Sequence, residues 1–175
     1  MKSFKNQYNR NKFLPTLQNT TFESPSLVSN TFFYFNELNQ SQKNSFAWIC
    51  GGNILNSSGP VIVNGNVSWN FPLPFPSGFQ FVAIQANSFI QQPIYLATGS
   101  YTISFTYCSR SGSNINPIEI LIDDVVIGTS PNISTSVWTP FSLSSNISQN
   151  RIVVLKLLGT SLSDQTTGID NVTIT

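Results

Sequence analysis

Proton transfer and nucleophilic catalysis draw on few side chains, and the most versatile of them is missing: the 175 residues contain no histidine. That removes histidine acid–base work, Ser-His-Asp and Cys-His nucleophiles, and nearly every zinc site. Seven carboxylates remain. Asp123 and Asp124 are adjacent in a predicted turn and read as turn solvation, whereas Glu23, Glu119, Asp164 and Asp170 stay open as a spatial group. Asp170 shares parity with Val172 and Ile174, which on a final strand aims its carboxylate toward the interior. A buried carboxylate needs a cation or backbone donors. The two thiols, Cys50 and Cys108, are expected to be unpaired, and Gly51-Gly52 with Gly65 make no phosphate-binding loop. No catalytic constellation emerges, and the chain is expected not to be an enzyme.

The elements that must position these groups are strands. In Gly99-Ser-Tyr-Thr-Ile-Ser-Phe-Thr-Tyr-Cys-Ser-Arg110, Tyr101, Ile103, Phe105 and Tyr107 fall on one parity. Thr102, Ser104, Thr106 and Cys108 fall on the other, which predicts a half-buried strand with its aromatic face inward and its hydroxyl face outward. Further strands are predicted at Phe13–Leu17, Thr20–Glu23, Thr31–Phe35, Phe46–Ile49, Pro60–Val63, Gly78–Gln85, Phe89–Tyr95, Ile118–Ile122, Val125–Gly128, Val137–Leu143, Arg151–Leu158 and Ile169–Ile174. Asn36–Ser45 is predicted as a helical turn or a loop. Asp123-Asp124 has the spacing of a two-residue hairpin turn, and three prolines within Trp69–Gly78 predict an ordered loop. Short strands at regular intervals with Gly, Pro, Asn and Ser between them predict an all-β fold, an antiparallel two-sheet sandwich or barrel.

Composition supports one domain with a large core. Hydrophobic residues make up 40%, with 14 Phe, 5 Tyr and 3 Trp to bury, while charged residues make up only 9%. Solvation therefore falls mostly to amides and hydroxyls. A net charge of +1 argues against a whole-domain nucleic-acid surface. The charge is uneven, with Lys2, Lys5, Arg10 and Lys12 preceding the first acid, Glu23. A basic N-terminal arm over residues 1–13 is expected, followed by a single domain over 14–175. Such an arm frays in solvent, docks on a neighbouring subunit, or binds an anionic polymer or surface. The sequence as it stands shows no secretory leader and no run long enough to span a bilayer.

Several weak motifs in a fixed order carry a resemblance. They are Asn19-Thr-Thr-Phe-Glu23, Trp69, Pro76-Ser-Gly-Phe-Gln-Phe-Val-Ala-Ile-Gln85, Ile90-Gln91-Gln92, Gly99–Phe105 and Gly168-Ile-Asp-Asn-Val-Thr-Ile174. Together they resemble the galactose-binding-domain-like jelly rolls, which include carbohydrate-binding modules of the family 4/9 type and the DUF642 proteins. The resemblance implies an antiparallel two-sheet jelly-roll β-sandwich. It also implies a structural calcium ion held by a glutamate of the first strand and an aspartate of the last, positions matched here by Glu23 and Asp170. Thr20 departs from the motif, which usually has glycine there. Glycan binding by such modules uses exposed aromatics, for which the candidates here are Trp48, Trp69, Phe71, Phe75 and Trp138.

Two readings of function follow. The leading expectation is a non-catalytic structural protein of a large assembly, such as a virion's minor capsid, vertex or fibre component, with other subunits as partners. It rests on the basic arm, the weakly charged surface and the use of jelly rolls in capsids. The alternative, which the resemblance favours, is a carbohydrate-binding module or adhesin that recognises glycans and is extracellular or on the cell surface.

Overall fold

A computed structural model describes residues 16–52, 59–65, 69–132 and 135–175. The described residues form eleven strands: β1 (Thr31–Tyr34), β2 (Ile49–Gly52), β3 (Pro60–Asn64), β4 (Gln80–Gln85), β5 (Ser88–Leu96), β6 (Gly99–Ser109), β7 (Ile118–Ile122), β8 (Val125–Thr129), β9 (Thr139–Ile147), β10 (Arg151–Gly159) and β11 (Thr166–Ile174). One short helix, α1 (Gln40–Phe46), follows a 3₁₀ turn at Phe35–Glu37. The strands make two antiparallel sheets, a six-stranded one ordered β1-β3-β4-β11-β6-β9 and a five-stranded one ordered β2-β5-β10-β7-β8. This is the all-β sandwich that the strand spacing predicts.

The core lies between the sheets and is built by alternation. Ile103, Phe105 and Tyr107 of β6 are buried as expected, while Thr102 is exposed and Ser104 and Thr106 are half-buried. Opposite them, Val153, Leu155 and Leu157 of β10 and Ile118, Ile120 and Ile122 of β7 supply the other half. Among these apolar side chains sits Gln92, almost fully buried. Its Nε2 donates to the Gln18 and Ala47 carbonyls at 3.1 and 3.0 Å, and its Oε1 accepts from the Gln18 N–H. One amide thus ties the entering chain and the end of α1 to the sheet. Pro93 of β5 costs no ladder bond on the β2 side, because β2 pairs with β5 only as far as Gln91.

Four expectations need correction. Thr20–Glu23 is a turn and its exit, not a strand, and Phe46 and Ala47 end α1 rather than begin a strand, with Ala47 in the left-handed region at φ 66°. Cys108 stands on the outward parity yet is fully buried. The reason is a second apolar cluster on the outer face of the six-stranded sheet, where the proline loop at 69–78 lies down. Tyr34, Val61, Val63, Trp69, Phe71, Phe81, Ala83 and Cys108 form it, with Phe32, Phe75 and Trp138 packed against it. The Trp138 indole N–H donates to the Pro72 carbonyl at 2.9 Å and pins the loop. With a core on each side, β3 and β4 are buried at every residue, which is why both read as continuous apolar runs.

The fourth correction concerns Asp170. Across the β6–β11 ladder Ile169 pairs with Tyr107, Asp170 with Thr106, and Thr173 with Ser104. One extra residue on β11 makes a bulge, with Asn171 at φ 53°. Parity therefore changes between Asp170 and Val172: Val172 points inward, and Asp170 belongs to the outward set with Thr106. Its carboxylate is buried because a loop covers it.

Candidate functional site

Glu23 and Asp170 are brought to one place by three segments. The first is the turn at Asn19–Glu23, where Asn19 and Phe22 take φ of 49° and 56°. Its geometry is held by Asn19, whose Oδ1 accepts from the Ser24 N–H at 3.0 Å while its Nδ2 donates to the Ser24 and Phe46 carbonyls. Phe22 is fully buried against Phe46 and Trp48, so the next side chain, Glu23, turns the other way. The second segment is Ser77–Gln80. Glu23 Oε1 accepts from the Phe79 and Gln80 N–H groups at 2.9 and 2.8 Å, and Gly78 sits beneath the carboxylate. A Cβ on Gly78 would lie 2.3 Å from Oε1, and its φ is 56°, so this position requires glycine on two counts.

The third segment is the β11 bulge. Asp170 Oδ2 accepts from the Ser77 N–H at 3.0 Å and Oδ1 from the Asn171 N–H at 2.8 Å. The Val172 N–H donates to the Thr20 carbonyl at 3.0 Å and clips the bulge to the first turn. Asp170 has no exposure, and burial pushes its carboxyl up to about 7. The two N–H donors oppose that rise and the nearby Glu23 charge adds to it. Among the described residues the ion pairs are Arg151–Asp123 and Lys156–Asp124, so no basic side chain pairs with either acid. No group of three or more Cys, Asp or Glu side chains converges among the described residues. A cation at this place would find two carboxylates and would complete its shell with neutral oxygens.

The aromatic candidates lie elsewhere, and most are not available to stack on a ligand. Trp48 is buried in the main core, and Trp69 and Phe71 are buried in the outer cluster. Phe75 and Trp138 are half-buried, edge-on to Phe81 at 4.9 and 5.1 Å. Lys2, Lys5, Arg10 and Lys12 lie outside the described residues. Sequence reasoning missed Phe79, which is 76% exposed beside Glu23; only its place after Gly78 and before the buried Gln80 marks it. It also missed that the hydroxyl parity of β6 continues onto its neighbours. Ser142 and Ser144 of β9 pair with Ser104 and Thr102, and Thr173 of β11 pairs with Ser104, giving an uncharged face of small polar side chains.

No family model and no curated protein matches the sequence. Solved structures match the fold. The K2 cleaved adhesin domain of Lys-gingipain superposes with a TM-score of 0.58 at 10% identity, covering 83% of this chain and 99% of that one. The CBM22-1 xylan-binding domain of Paenibacillus barcinonensis Xyn10C gives 0.53 at 12% identity, covering 82% and 91%. A family 35 carbohydrate-binding module from Clostridium thermocellum gives 0.51 at 15% identity, covering 73% and 90%. The fold is a galactose-binding-domain-like jelly roll. At these identities the likeness is one of architecture, and function must be argued from this chain's own surface. On the jelly roll, the Ser77–Gln80 loop donates N–H groups to both Glu23 and Asp170 beside the β11 bulge.

Proposed function

We propose that this jelly roll is a non-catalytic carbohydrate-binding module or adhesin that acts outside the cell or at a cell surface. The observation that carries this reading is the uncharged hydroxyl and amide surface on a sandwich whose architecture is shared with carbohydrate-binding modules. Sugar hydroxyls both donate and accept, and Ser, Thr and Asn side chains answer them without desolvating a charge. The expectation of a virion component draws nothing from these likenesses, and an assembly role for the basic arm remains a separate proposal. It is tested by deleting residues 1–13 and measuring self-association against salt.

We further propose that Glu23 and Asp170 hold one structural calcium ion. Support comes from the acids themselves: two carboxylates drawn together by one loop, one of them fully buried, with no basic partner among the described residues. Bound calcium would supply the opposite charge, and oxygen donors of this kind suit it. The residues themselves tie the Asn19–Glu23 turn, the Ser77–Gln80 loop and the β11 bulge together. Calcium should raise the melting temperature and EDTA should lower it again, with Glu23→Gln blunting the response. A melting temperature indifferent to both additions would refute the metal site.

For the ligand, affinity electrophoresis and calorimetry against neutral polysaccharides are decisive. The panel should include xylan and β-1,4-galactan, because one similar fold is described as a xylan-binding domain and another in complex with β-1,4-galactotriose. Retardation by at least one neutral polymer is expected. No retardation by any of them would overturn the carbohydrate-binding reading.

A further inference from the structure

The outer face of the six-stranded sheet is divided in two. Over β3, β4, the Cys108 end of β6 and the Gly168–Asp170 part of β11 it is sealed by the proline loop and Trp138, and over β9, the Thr102–Thr106 part of β6 and the Thr173 end of β11 it is open. The open part holds a depression of about 390 Å³ lined by Ser104, Thr106, Pro140, Ser142, Asn171 and Thr173, with Phe105 and Phe141 at its margin. That volume falls in the range of about 300–1,000 Å³ usual for small-ligand sites. The lining contains no charged side chain and no aromatic platform on the outward parity.

Sheet register sets the arrangement. Ser142, Ser104 and Thr173 stand abreast across the three strands, and Thr106 faces Pro140 in the next row. Strands lie about 4.8 Å apart, and same-face residues along a strand about 6.8 Å apart, so the hydroxyls form a fixed net on that scale. Ser104 and Thr173 are already bonded through their hydroxyls at 2.7 Å, and each keeps spare hydrogen-bonding capacity toward solvent. Asn171, turned out of the ladder at φ 53° and held by the Asp170 carboxylate through its N–H, supplies the amide at the rim. The site is built on strands rather than loops, so little ordering accompanies binding.

We infer that this hydroxyl-lined depression on β9, β6 and β11 is the glycan site, and that it takes a neutral polysaccharide segment through hydrogen bonds rather than aromatic stacking. The inference rests on the carbohydrate-binding reading and adds to it the place and the charge class of the ligand. An acidic polymer would find no cation in the lining, whereas a neutral sugar matches it group for group. Binding is therefore expected to be insensitive to salt, since no ion pair is screened.

The test uses the full chain and whichever neutral polysaccharide of the panel it retains, with polygalacturonate as the charged comparison. Ser142→Arg fills the depression from an exposed position, and the double variant Ser104→Ala, Thr173→Ala removes the central hydroxyls without adding bulk. Each is expected to weaken binding at least tenfold with an unchanged melting temperature, while Leu162→Ala, at a 90% exposed position elsewhere, binds as the parent does. If the depression variants bind normally, the site lies elsewhere, with the exposed Phe79 and Tyr95 the next positions to substitute; the present inference falls and the carbohydrate-binding reading stands. Salt-sensitive binding to polygalacturonate alone overturns the neutral class. Retention of nothing in the panel overturns both the inference and the reading beneath it. If Ser142→Arg does not fold, the double variant decides.

Discussion

Asp170 should make the cation-free protein lose stability as pH rises, against the usual behaviour of carboxylates. In the folded chain burial holds its carboxyl at about 7, whereas the ordinary value is 3.8. Between those values the folded state keeps a proton that the unfolded state has released. Stability is therefore fully present below about pH 4, declines through the window, and levels off above about 7. At roughly 1.4 kcal/mol per pH unit the whole decline is worth about 4 kcal/mol. For a domain of this size that is about 10 °C in melting temperature. The assay is thermal and urea unfolding of EDTA-treated protein from pH 4 to 8, with Asp170→Asn in parallel. The amide cannot titrate, so its stability should lack this decline. It should also be lower by about 1–3 kcal/mol at pH 4, because its NH₂ group meets one of the two N–H donors that the carboxyl now satisfies. A parent protein whose stability is level or rising over this window, or an Asn variant with the same slope, would refute the argument. Calcium, if bound as proposed, should flatten the decline by stabilising the charged form.

Three further outcomes follow from the packing. Gly168→Ala would place a Cβ 2.8 Å from Phe71 and 2.9 Å from Trp138, and should cost about 1–3 kcal/mol in urea melts by lifting the proline loop. Asp123 and Asp124 both have positive φ, at 51° and 65°, in the β7–β8 hairpin turn. Asp124→Gly should therefore stabilise by about 0.5–1 kcal/mol, because the Asp124 side chain is 78% exposed and its ion pair with Lys156 is worth little. Burial raises both thiols, Cys50 and Cys108, well above the ordinary range. Native protein at pH 8 should thus react with a disulfide reagent at least tenfold more slowly than urea-unfolded protein, with Cys108 the slower of the two by mass spectrometry.

Local pattern was enough for the scaffold. The alternation in β6, the apolar periods of β7 and β10, and the Asp-Asp spacing between β7 and β8 are each decided by neighbours in the chain, and the structure places them as the pattern requires. The strand pattern reads Thr20–Glu23 as a strand where the structure has a turn, and Glu23 is joined to Asp170 by the family resemblance rather than by any local signal. What required the tertiary structure was everything that covers a face. Cys108 reads as an outward residue, and nothing local reveals that the proline loop and Trp138, distant in sequence, lie over it and over Gly168. The same contacts withdraw Trp69 and Phe71 from the surface and leave Phe79 exposed. Asp170 shows the sharper form of the problem. Parity counting assumes an unbroken ladder, and a single bulge at Asn171 reverses it, moving the carboxylate from the core side to the outer face, where a loop buries it. A strand pattern determines which residues share a face; only the pairing partners and the overlying chain determine which face meets water.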